Sequence, residues 1–103
     1  MAELPEGSNL YATLHGSLTA PQVVELFVAS GWSTRKSGRD SHELRSNQGE
    51  LVLEAQDPLL LHGALTNVLE NAPRVADVLR QADIKFALEC YGPNGELLAE
   101  ISQ

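Results

Sequence analysis

An α+β fold of β-α-β-β-α-β order, with one further C-terminal strand, is predicted by three observations. Apolar and polar residues alternate over Leu10–His15 and again over Ile84–Tyr91, the period of strands with one buried face. Two segments, one opening at Thr19 and one spanning Leu65–Ala82, place apolar residues at helical spacing. Asn47-Gln48-Gly49 and Pro93-Asn94-Gly95 are turn sequences set between extended segments. Two β-α-β halves joined by a hairpin describe the ferredoxin-like plait, with the last strand added at a sheet edge.

The elements follow in order. Residues 1–9 are polar, contain Pro5 and Gly7, and read as a flexible terminus; residues 10–103 read as a single domain. Leu10, Ala12 and Leu14 form the inward face of the first strand, and Gly16-Ser17 turn the chain. Thr19 suits a helix cap, Gln22 stands where a capping box needs it, and Pro21 suits the first turn. The helix continues through Val23, Val24, Leu26, Phe27 and Val28 until Gly31, and the Trp32 ring is expected to fold back over its end.

Ser33–His42 has no apolar residue, contains Gly38, and reads as a loop. Glu43–Ser46 and Glu50–Ala55 read as the strands of a hairpin. In the second helical segment Pro73 is expected to break the pattern, with Asn71 capping a new helix. Ile84, Phe86, Leu88 and Cys90 face inward on the next strand, and Glu96–Ile101 closes the fold as an edge strand. Leu14-His15-Gly16-Ser17-Leu18-Thr19 recurs as Leu61-His62-Gly63-Ala64-Leu65-Thr66, with only Ser17 and Ala64 differing, as if each marked a strand-to-helix corner.

A chain of 103 residues supports one core. The longest apolar run, Leu26–Ala29, is far short of a membrane span, and Met1–Gly7 shows no leader of secretory type. The single Cys90 allows no internal disulfide, so the cytoplasm is the expected setting. The net charge of −7 opposes binding to nucleic acid phosphate or anionic lipid and favours a basic partner. Four of the seven basic residues, Arg35, Lys36, Arg39 and Arg45, cluster in one stretch, while nine acids after Ser46 meet only Arg74, Arg80 and Lys85.

His15 and His62 would lie at opposite ends of the sheet and so form no metal site, and no Cys/His spacing suggests one. Cys90 shares the inward face of its strand, a poor setting for a nucleophile. No nucleophile elbow, HExxH or phosphate-binding glycine motif occurs, so no catalytic, cofactor or metal residue is assigned. Arg35, Lys36 and Arg39 form a candidate anion-binding loop. If helices cover one sheet face, the other presents Tyr11, Thr13 and Tyr91 beside Glu54 and Glu89, a candidate partner-binding surface.

The expected function is therefore a non-enzymatic protein-binding domain, of the inhibitor or immunity type, whose partner is a basic protein. The alternative is a small-molecule regulatory or sensor domain with its ligand near His15-Gly16-Ser17. Any homodimer is expected to use the tyrosine face, because Glu96 and Glu100 would repel across a symmetric edge pairing.

Overall fold

The computed structural model describes residues 8–82 and 84–103. Among these, seven strands and two helices follow in the order β1 (Leu10–His15), α1 (Ala20–Ala29), β2 (Ser33–Lys36), β3 (Ser41–Ser46), β4 (Gly49–Glu54), β5 (Leu59–Leu65), α2 (Val68–Arg80), β6 (Lys85–Tyr91) and β7 (Leu97–Ser102). The strands form one antiparallel sheet in the order β2-β3-β4-β5-β1-β6-β7. An α+β fold is thus what the chain adopts, with more strands than the sequence pattern supplies.

The inward residues were the ones alternation marked. Leu10, Ala12 and Leu14 of β1, Phe86, Leu88 and Cys90 of β6, and Leu51 and Leu53 of β4 are all buried. They meet Val23 and Phe27 of α1 and Ala72, Val75 and Leu79 of α2 in one core. α1 lies against β2, β3 and β4, α2 lies against β5, β6 and β7, and the two helices touch, so both cover the same sheet face. Full burial of a side chain such as Phe27 contributes about 2–3 kcal/mol. Among the described residues no helix lies on the opposite face.

Local chemistry sets the start and end of α1. The Thr19 hydroxyl accepts from the Gln22 amide at 3.4 Å, and the Gln22 side chain accepts from the Thr19 amide at 2.9 Å. The chain leaves the helix through Gly31 at φ +100°, which a glycine adopts without side-chain strain. Trp32 is buried, and its ring meets Phe27 edge-on at 5.4 Å between centroids.

Four expectations need correction. Ser33–Lys36 is an edge strand rather than part of a loop; all four of its residues are exposed, so no hydrophobic alternation betrays it. Leu59–Leu65 is a strand, so His62 and Gly63 sit inside β5 and the echoed hexapeptide does not mark equivalent corners. α2 runs unbroken through Pro73, an exposed position whose missing N–H would have bonded the carbonyl of Leu69, itself on the exposed side. Asn71 lies within that helix and donates to the Thr66 carbonyl instead of capping a second helix.

The ends of the sheet also differ in detail. The expected flexible terminus falls mostly on residues 1–7, outside the described residues. Asn9 is held firmly: its side chain donates to the Leu65 carbonyl at 2.9 Å and accepts from the Leu65 amide at 2.8 Å, tying β5 to the start of β1. β7 does form the sheet edge. Ala99 and Ile101 pack on the core, but Leu97 is half exposed because the β6–β7 register shifts at Cys90/Tyr91.

Candidate functional site

Strand alternation places every second residue on the helix-free face, and the cross-strand register aligns them in rows. One row runs through all seven strands: Arg35, Glu43, Val52, His62, Tyr11, Glu89 and Glu100. Tyr11 stacks on His62 with ring centroids 5.6 Å apart and planes inclined by 21°. His62 Nε2 meets Glu54 Oε2 at 2.6 Å across the β4–β5 ladder. The His62 side chain is only 16% exposed, so imidazole, phenol and carboxylate form a compact group at the middle of the face.

The β6 side of the row is acidic and aromatic. The Tyr91 hydroxyl donates to Glu89 Oε1 at 3.0 Å, and Glu89 stands directly opposite Glu100 on β7. Like charges facing each other across a ladder are destabilising unless a cation joins them. Burial raises the Tyr91 phenol above its ordinary pKa, and the hydrogen bond to Glu89, the charges of Glu89 and Glu100, and the nearby Tyr11 push the same way.

At the other margin the charges change sign. Arg35 and Arg45 both approach Glu43, at 3.8 Å and 3.6 Å, and Arg45 Nε also meets Glu50 at 3.1 Å. These pairs are exposed, and each contributes about 0–1 kcal/mol. On the open face Arg35 and Arg45 outnumber Glu43 by one at the β2–β3 margin, and Glu89 and Glu100 outnumber Lys85 by one at the β6–β7 margin, so the face is weakly polarised.

Tyr11, Thr13, Glu54, Glu89 and Tyr91 all lie on this face, with Thr13 between Leu60 and Ala87. Arg35, Lys36 and Arg39 are not brought together. Arg35 and Lys36 are consecutive on β2 and point to opposite sides, while Arg39 sits in the turn before β3. A depression of about 190 Å³ lined by Ser33, Thr34, Arg35, Glu43 and Arg45 contains the first of the three, together with a carboxylate that would repel an anion.

Of the row, Glu43 was not singled out by sequence, and His62 was assigned to a strand-to-helix corner instead of to this face. His62 was hidden by its resemblance to the His15-Gly16 corner; the uninterrupted Leu59-Leu60-Leu61 run, read as a strand, would have placed it opposite Tyr11. His15 and His62 do not converge, since His62 pairs with Tyr11, four residues along β1 from His15. The His15-Gly16-Ser17 corner is exposed, and Gly16 rests close to Ile84. Burial raises the pKa of the Cys90 thiol, which suppresses the thiolate a nucleophile requires.

Among the described residues no three His, Cys, Asp or Glu side chains gather as a metal-binding group. No helix among them is long and apolar enough to cross a membrane. Comparison with protein-family models, with curated proteins and with solved structures finds no match to this chain.

Proposed function

We propose that this chain is a non-enzymatic protein-binding domain that offers the β1–β6–β7 part of its open sheet face to a basic protein, in the manner of an acidic inhibitor or immunity-type partner. The observation that carries this reading is the open face itself, on which Tyr11 and Tyr91 stand among Glu54, Glu89 and Glu100. Tyrosine is favoured at interfaces because it couples a large apolar ring to a polar tip at small entropic cost. The facing carboxylates Glu89 and Glu100 give a partner's lysine or arginine something to gain, because a cation relieves their repulsion.

The architecture we infer is a ferredoxin-like plait with additions. The antiparallel order β4-β5-β1-β6 and the helices placed after β1 and β5 support it. β2 and β3 then extend one edge as an inserted hairpin, and β7 extends the other. The setting we infer is the cytoplasm, since a buried free thiol without a partner suits a reducing compartment.

The test is affinity capture from host extract at low and high salt, followed by binding measurements on the purified partner. A basic protein whose affinity falls with salt and with charge reversal at Glu89 supports the reading. A partner indifferent to both overturns it.

A further inference from the structure

We propose that the edge of β7 takes up an extended, basic segment of a partner as an added antiparallel strand. This rests on the reading of the partner as a basic protein and names the mode by which part of it docks. Gln103 N–H bonds the Phe86 carbonyl at 3.0 Å, and β6 and β7 pair regularly from Ala87↔Ser102 to Cys90↔Ala99. Ladder bonds alternate, so the N–H and C=O groups of Glu100 and Ser102 point away from β6, and no strand among the described residues lies beside them. Such an edge is a template for another chain unless something blunts it. At the opposite edge β2 carries Arg35 and Lys36 in only four residues. β7 has six residues with no lysine, arginine or proline, and it exposes Leu97 and Leu98 at 48% and 41%. The register shift at Cys90/Tyr91 lies before Ala99, so it leaves Ala99–Ser102 regular and able to pair.

Charge decides which chain fits. Glu100 stands directly opposite Glu89, so a long cationic side chain paired with Glu100 from outside reaches two carboxylates on the open face. A lysine or arginine there relieves their repulsion, whereas a carboxylate adds to it. The incoming strand therefore alternates: its basic residues fall on the open face beside Glu100, and its apolar residues fall beside Ala99 and Ile101, which pack on the core. The added strand thereby prolongs the face that bears Tyr91 and Glu89. A second copy of the chain does not meet these terms. β7 against β7, antiparallel through the same backbone groups, sets Glu100 opposite or diagonal to its counterpart. β2, with the sequence Ser-Thr-Arg-Lys, offers charge but no apolar residue to set beside Leu97 and Leu98.

The test follows the backbone amides of the whole chain by NMR as a capped hexapeptide of alternating lysine and valine is added. Binding is expected to shift the Glu100 and Ser102 amides and to slow their hydrogen exchange. Methylating the lysine amide nitrogens removes the bonds that face β7 and is expected to weaken binding about tenfold or more. Methylating the valine nitrogens, which face away, is expected to change it less than about threefold. An alternating glutamate–valine peptide is expected not to bind. On the protein, Glu100→Gln removes only the charge, whereas Glu100→Pro also removes the outward N–H, a change that a sheet edge tolerates. Circular dichroism confirms that both variants fold, and Glu100→Pro is expected to bind at least about threefold more weakly than Glu100→Gln. No shift at about 5 mM peptide, shifts confined to the middle of the face around Tyr11 and His62, equal loss from the two methylated peptides, or equal affinity of the two variants overturns strand addition. Sedimentation in which the chain associates with itself, and ceases to in Glu100→Pro, overturns the choice of occupant in favour of a second copy. A basic protein bound equally by wild type and Glu100→Pro overturns this mode alone, whereas a β7 response to the peptide supports it even where no basic protein is captured.

Discussion

Replacing Gly63 with alanine is expected to destabilise the fold far more than the loss of a glycine usually does. Gly63 sits in β5 opposite Leu51, at φ +155°. A Cβ there would stand 2.2 Å from the Glu50 carbonyl oxygen and 2.7 Å from Leu51 Cα, both backbone atoms. Relief requires β4 to withdraw by about 1 Å along a ladder that joins the two halves of the sheet, and overpacking of that kind costs about 1–3 kcal/mol. The unfavourable φ adds about 1–3 kcal/mol, so a total of about 2–6 kcal/mol is expected. Gly95 is the control: at φ +80° it is strained for alanine too, but a Cβ there meets nothing within 4 Å. Its substitution is expected to cost about 1 kcal/mol. Urea unfolding of the three proteins, followed by circular dichroism, gives the difference directly. A Gly63→Ala loss no larger than that of Gly95→Ala would refute the close approach of β4 and β5.

Two further outcomes follow from local geometry. Pro73→Ala is expected to stabilise the protein by about 1 kcal/mol or more, measured by thermal unfolding, because it restores a helical hydrogen bond at an exposed site of α2; a loss of stability would show that the proline ring packs. Tyr91 has a raised folded pKa, so its contribution to stability is complete below the unfolded value near 10 and is lost as pH rises through that value toward the folded one. Ring-resolved NMR titration is expected to place the Tyr91 midpoint above the ordinary value and to bring it down in Glu89→Gln, while an unmoved midpoint would contradict the Tyr91–Glu89 contact.

The core was legible in the sequence because burial writes a period. Leu10-Ala12-Leu14 and Phe86-Leu88-Cys90 alternate, and Ala72, Val75 and Leu79 fall on one helical stripe. The Thr19–Gln22 capping box was legible because it is complete within four residues. β2 was not, since an edge strand with four exposed side chains needs no apolar residue. β5 was not, since Leu60, His62 and Ala64 on the open face are themselves partly covered, which blurs the alternation. Pro73 misled because propensity speaks of the isolated helix, whereas here the buried stripe on either side holds α2 together.

The candidate face was half legible for the same reason. Tyr11, Thr13, Glu89 and Tyr91 were placed by the alternation of β1 and β6, and Glu54 by that of β4. His62 could join them only once β5 was known, because its contacts to Tyr11 and Glu54 are made across strands. Arg35 and Lys36 looked like one site when read as a loop, and a strand separates them by its pleat.

The most direct measurement titrates the captured basic protein against wild type, Glu89→Lys with Glu100→Lys, and Glu25→Lys with Glu70→Lys. The last pair makes the same change in net charge on the exposed sides of α1 and α2. Reversal on the open face is expected to weaken binding about a hundredfold, and reversal on the helices severalfold at most. Equal losses from the two pairs, or unchanged binding in the first, would contradict the assignment of the open face as the binding surface.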